Sequence, residues 1–159
     1  MTDAEAALPP ESAMEPERRS VLLHERAALF AETGRVAQAV ADAREALKLV
    51  EQEGEDNAIE IASARAHLAE FLFADGRLDE AEDLARCACD ELLPRRHTDA
   101  AGALVTLALI RNDESSSVSI EEAMALVREA RLMELGTKTW ALKSLERRLK
   151  LQLLVMGRQ

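Results

Sequence analysis

At 159 residues the chain is long enough to bury one substantial core, and a second independent one has little room. Apolar residues make up 48% of it but aromatics only 3%, with no Tyr, which argues against a sheet of β-branched and aromatic residues and for close-packed helices with an interior of Ala and Leu. The formal charge of −10 is uneven: Lys138, Lys143, Arg147, Arg148, Lys150 and Arg158 against Glu146 leave +5 after Gly136 and hence −15 before it, so most of the surface repels nucleic acid and anionic lipid.

Residues 1–16 contain Pro9 and Pro10, a surplus of carboxylates and no apolar period, and are expected to form a mobile acidic tail. No leader pattern opens the chain, and no segment approaches the ~20 apolar residues of a membrane span. Cys87 and Cys89 stand two apart in a helical pattern and so point in different directions, which argues against a bond between them. A reducing, cytoplasmic setting is expected.

From residue 17 onward the apolar periodicity predicts helices over 17–33, 36–52, 58–74, 78–93, 98–112, 120–135 and 138–156. Laid on itself at an offset of 42, the chain brings Ala39, Ala81 and Ala123 into register, and with them Arg44, Arg86 and Arg128, and Ala46, Ala88 and Ala130. Gly34-Arg35 and Gly76-Arg77 precede the first two copies and read as helix-ending turns with glycine in the left-handed conformation. Asn57-x-x-Glu60 and Ser119-x-x-Glu122 have the form of capping boxes, and Pro94 and Gly136 fall where helices should stop. The third copy lacks the glycine, and about three extra residues in the polar run 112–119 blur the register of helix 98–112.

The recurring Ala27, Phe30, Gly34, Ala39 and Ala46, repeated as Ala69, Leu72, Gly76, Ala81 and Ala88, resemble the tetratricopeptide repeat. The 42-residue period is similar to the variant found in kinesin light chains and bacterial regulators. Arg26 and Arg65 depart from the pattern, since both stand where that family carries bulky apolar residues. The resemblance implies an all-α fold: a right-handed superhelix of three helix pairs (about 17–53, 57–94 and 97–135) within one domain, 17–156. It also implies a concave groove lined by the first helix of each pair, where a helix or peptide of another protein binds. Helical spacing places Val21, His24 and Ala28 on one such face and Ser63, Ala66, Glu70 and Phe73 on the next, with no Lys or Asn to form the carboxylate clamp of tail-binding members. A groove of Val, Ala and Phe rimmed by carboxylates suits an amphipathic helix with a basic flank.

Nothing points to catalysis, a cofactor or a metal. His67 and Glu70 stand one helical turn apart, but His24 and His97 lie on other elements without ligand spacing. Leu49 occupies the first ligand position of what would be half a calcium loop at Glu51-x-Glu53-Gly54. Glycines occur singly, so there is no phosphate-cradling loop, and Ser115 to Ser117 have no histidine nearby. The repeated Arg44, Arg86 and Arg128 are expected to form ion pairs within their repeats.

In helix 138–156, Leu142, Leu145, Leu149, Leu153 and Met156 form one stripe that suits a terminal cap on the array. Trp140, Leu151, Leu154 and Val155 fall outside it, beside Lys143, Arg147 and Lys150. That second face is read either as an interface for a homodimer or another protein, or as part of a cap with Trp140 folded inward, with contact to a membrane surface as a minor alternative. The expected role is a protein-binding adaptor, with self-assembly through the last helix or a dedicated chaperone for one exported protein as alternatives.

Overall fold

The computed structural model describes residues 14–111 and, singly, Ala125, Arg147 and Leu154. The described residues form five α-helices and no strand: α1 (Pro16–Glu32), α2 (Val36–Gln52), α3 (Ala58–Ala74), α4 (Leu78–Leu92) and α5 (Asp99–Arg111). Each helix packs on the next, and α3 also lies directly against α5. By contrast, α1 and α3 barely approach each other.

The turns explain why the helices end where they do. Gly34 has φ +78° and Gly76 φ +81°, so both adopt the left-handed conformation that glycine enters without penalty. Around each, the amide of the following arginine donates five residues back, Arg35 to Phe30 at 2.7 Å and Arg77 to Leu72 at 2.9 Å. The glycine amides donate three back, to Ala31 and Phe73, each at 3.1 Å. This Schellman arrangement satisfies the last carbonyls of α1 and α3. The same pattern closes α4: His97 donates to Leu92 at 3.1 Å and Arg96 to Leu93 at 3.0 Å. There the left-handed residue is Arg96, at φ +50°.

Entry into α3 differs from the expected capping box. A 3₁₀ turn over Glu55–Asn57, preceded by Gly54 at φ +115°, delivers the chain to the helix, and the Asn57 side chain makes no cap bond. Its amide donates to Glu53 Oε2 at 3.3 Å instead. The second capping box, at Ser119, and helices 120–135 and 138–156 lie outside the described residues apart from Ala125, Arg147 and Leu154, as do residues 1–13 of the tail expected over 1–16, whose last residue, Pro16, opens α1.

Alanine fills the crossings. Ala27, Ala39, Ala69, Ala81, Ala85 and Ala88 are all 0% exposed, which lets paired backbones approach closely while Leu47, Leu68, Phe71, Leu72 and Leu92 fill the spaces between them. The positions related by the offset of 42 are thus buried alike.

Ion pairs stitch the helices along their outer seams. Arg26 meets Asp42 of α2 through two bonds, at 2.5 and 3.0 Å, and Arg65 of α3 meets Glu51 of α2 at 3.1 Å. Both departures from the repeat pattern are therefore spent on bridges to α2. Of the repeated arginines, Arg86 pairs within α4, with Glu82 at 3.1 Å. Arg44 instead crosses from α2 to Glu80 of α4, joining the two helix pairs. Arg128 lies outside the described residues. Cys87 is exposed and Cys89 buried, and the two are not joined by a disulfide.

Because Ala81 is sealed at a helix crossing and Ala41 is exposed, the two sites should respond unequally to the same change. Ala81→Leu is expected to cost about 1–3 kcal/mol by overpacking and Ala41→Leu less than about 0.5 kcal/mol, as read from urea midpoints. Equal effects would mean that the crossings do not depend on small side chains.

Candidate functional site

Where α1 and α3 diverge, an open groove of about 240 Å³ lies over α2. One wall is Ser20, Val21 and His24 of α1, the floor is Ala43, Ala46 and Val50 of α2, and the other wall is Glu60, Ser63, Ala64 and His67 of α3. The floor residues follow the i, i+3, i+7 spacing of one helix face, and the α3 wall follows i, i+3, i+4, i+7. Its volume falls below the roughly 300 Å³ at which small-molecule sites begin, but it has room for one or two apolar side chains of a peptide.

Of the residues expected at the groove, Val21, His24 and Ser63 line it. Ala28 is half-buried outside the lining, and Phe73 is half-buried against the core around Phe71 and Leu72. Ala66 is fully buried, and Glu70 is 5% exposed. The face of α3 turned to the groove is thus Glu60, Ser63, Ala64 and His67, about 90° around the helix from the expected face at 100° per residue. The physical reason is α5. Its small residues Ala100, Gly102 and Ala103 let it pack directly on the stripe that carries Ala66 and Glu70. Glu70, expected to face a partner, is buried instead between α3 and α5.

Half-buried polar residues converge at this groove. The His24 and His67 rings lie 4.2 Å apart, tilted by 45°. His67 Nε2 is 3.5 Å from Asp99 Oδ1, at the first residue of α5, and His97 Nδ1 is 3.7 Å from Asp99 Oδ2. The Asp99 amide donates to His97 Nδ1 at 3.3 Å. Together these contacts connect α1, α3 and the start of α5. Helical spacing had put His24 and His67 on separate elements, and nothing in the sequence indicates that their rings meet.

Burial sets the protonation states. Desolvation, helped by the His67 charge and opposed by Asp99, lowers His24 from 6.5 to about 4. Burial works against the Asp99 charge, but the hydrogen bond and charge of His67, with Ser63 and His97, hold it at about 2. Glu70 is raised by burial from 4.5 to about 8, with His67 opposing and Asp99 adding to the rise, so it is largely a neutral acid at pH 7. Its Oε2 has no hydrogen-bond partner among the described residues, and Oε1 lies where a side chain on residue 102 would begin, a space that glycine leaves open. The Gly102 carbonyl accepts from buried Thr106 at 3.0 Å.

Among the described residues no group of three His, Cys, Asp or Glu side chains converges as a metal ion requires. None of the described helices is long and apolar enough to cross a membrane. Leu154, from the expected second face of the last helix, is helical and 62% exposed; Trp140, Leu151 and Val155 lie outside the described residues. No family model matches the chain, and no curated protein matches it.

The opposed shifts predict the shape of stability against pH. The unfolded chain binds more protons at His24 between pH 4 and 6.5, so that term makes stability rise with pH there. The folded chain holds the Glu70 proton from pH 4.5 to about 8, so that term makes stability fall. The two offset each other between 4.5 and 6.5, and a net decline on the order of 2 kcal/mol follows from 6.5 to 8, at 1.36 kcal/mol per pH unit. Glu70→Gln, followed by urea unfolding at each pH, should remove that decline and leave a rise up to pH 6.5. A variant profile that still falls above 6.5 would assign the decline to another group.

Proposed function

We propose that the chain is a protein-binding module of the tetratricopeptide kind: three helix pairs wound into a right-handed superhelix, with 138–156 as its capping helix. Its groove receives a helix or short extended segment of a partner protein. The observation that carries this reading is the groove itself. Its floor of Ala43, Ala46 and Val50 takes an apolar side chain, and the carboxylate of Glu60 at its edge takes a basic one. The divergence of α1 from α3, next to the close packing of α3 on α5, leaves this surface uncovered among the described residues.

The surrounding charge favours the same partner. The described stretch 14–111 carries 20 acidic and 12 basic side chains, a net of −8, which draws in a positively charged segment and disfavours an acidic tail. An adaptor that presents one protein to another is the role this chemistry fits, with a dedicated chaperone as the variant in which the bound segment belongs to a single client.

A second reading rests on Leu154. A helical leucine with 62% of its surface exposed, in a segment of net charge +5, suits self-association through the last helix against the acidic body of another copy. Sedimentation across concentration separates the two readings, because the adaptor binds while monomeric.

Val21 is 60% exposed, so its replacement tests the groove without disturbing the core. With a partner identified by affinity capture and mass spectrometry, Val21→Glu and Glu60→Lys are each expected to weaken binding at least about tenfold in a calorimetric titration, a loss of about 1.4 kcal/mol. Thermal midpoints should stay near that of the wild type. Undiminished affinity in both variants would exclude this groove as the binding surface.

A further inference from the structure

We propose that the contacting imidazoles of His24 and His67 form an acid-released latch fastening α1 to α3 across the groove. The geometry that carries it is the 4.2 Å ring contact between helices whose backbones otherwise stay apart. Along its length α1 is tied to α2, by the buried Leu23, Ala27 and Ala31 and by the pairs Arg19–Glu45 and Arg26–Asp42. It reaches α3 across the groove through the ring pair.

The groups around the pair determine its response to acid. From α3, His67 faces His24 directly, Glu60 and Ser63 line the same wall, and Glu70 lies one turn on, buried and neutral. From the start of α5 and the turn before it come Asp99 and His97, with Asp99 held against His67. The floor, α2, presents only Ala43, Ala46 and Val50. No ionisable side chain of α2 or α4 is among the groups whose charge acts on His24, Asp99 or Glu70.

Asp99 is therefore the carboxylate whose charge acts on His24, and it is already engaged by His67 and His97. A neutral His24 rests on His67 without conflict. A second proton, on His24, puts two like charges at ring-contact distance inside a half-buried site, while Asp99 stays ionised and engaged with His67. Separation of the rings lets water solvate both, and α1 swings away from α3 while its bridges to α2 hold. The groove then widens, and the surface proposed to take a peptide changes with it. The latch itself needs no partner, so it stands or falls independently of that reading.

The size of the response follows from linkage. A histidine that titrates at 6.5 when the latch is open and about 4 when it is closed makes opening about 300-fold more favourable once pH has dropped through that window.

Hydrogen exchange by NMR on the isotopically labelled full chain tests this between pH 7 and 4, with amide protection corrected for the intrinsic pH dependence of exchange. His24 should titrate near 4 by its ring carbon shifts. Protection along α1 should fall by roughly 100-fold relative to α3 and α4 between pH 7 and 4. His24→Phe keeps a ring on His67 but carries no proton, and should hold α1 protection level with α3 and α4 across the range. A His24 that titrates near 6.5, or α1 protection that falls only in step with α3 and α4, overturns the latch from the wild-type data alone. So does a folded His24→Phe protein that loses α1 protection as the wild type does.

Discussion

Two helices can approach to the roughly 8–10 Å of a close pair only if the side chains at their crossing are small. In this chain that constraint is met by alanine, at Ala27 and Ala39 in the first pair and at Ala69 and Ala81 in the second, all fully buried. The leucines and phenylalanines are displaced to the flanks of each crossing, where they fill the gaps between one pair and the next. An interior built this way carries little apolar bulk per residue. Its precision comes from backbones held close, so that a single added methylene is felt across two helices.

That same closeness governs the polar residues. Where α5 presses on α3 through alanines and Gly102, Glu70 is enclosed, and burial keeps its carboxyl group protonated. Where α1 stands off from α3, the space becomes a groove, and the imidazoles lining it stay partly solvated. One structural variable, the spacing between successive first helices, thus divides a sealed joint from an accessible surface. The outer seams are held differently, by arginines that reach the carboxylates of α2 and α4, and such exposed pairs add orientation more than stability.

The helices were legible because their signals are local. The bounds of α2 and α3 match the apolar period, and Gly34 and Gly76 mark turns that only glycine enters comfortably. The turn after α4 was not legible as a repeat of these, because Arg96 bears the left-handed conformation with no glycine to announce it. The α1 wall of the groove was largely readable: Val21 and His24 line it. The α3 wall was misplaced, since Ser63, Ala66, Glu70 and Phe73 do form one stripe, and only the arrival of α5 decides that much of it is covered. That arrival depends on small residues about 35 positions further along, in the helix whose repeat register the sequence leaves blurred. The contact between His24 and His67 is likewise tertiary, and no spacing within either helix encodes it.

The fit of Glu70 against Gly102 has a consequence for how this sequence can change over time. A side chain at 102 and a carboxylate at 70 compete for one volume, so neither position can be read or altered alone. Shortening residue 70 would open a small void and leave room for alanine at 102, whereas alanine arriving first at 102 would have to push the end of the Glu70 side chain aside. Substitution between these two helices thus has a preferred order, and sequences descended from this one should hold the two positions as a matched pair.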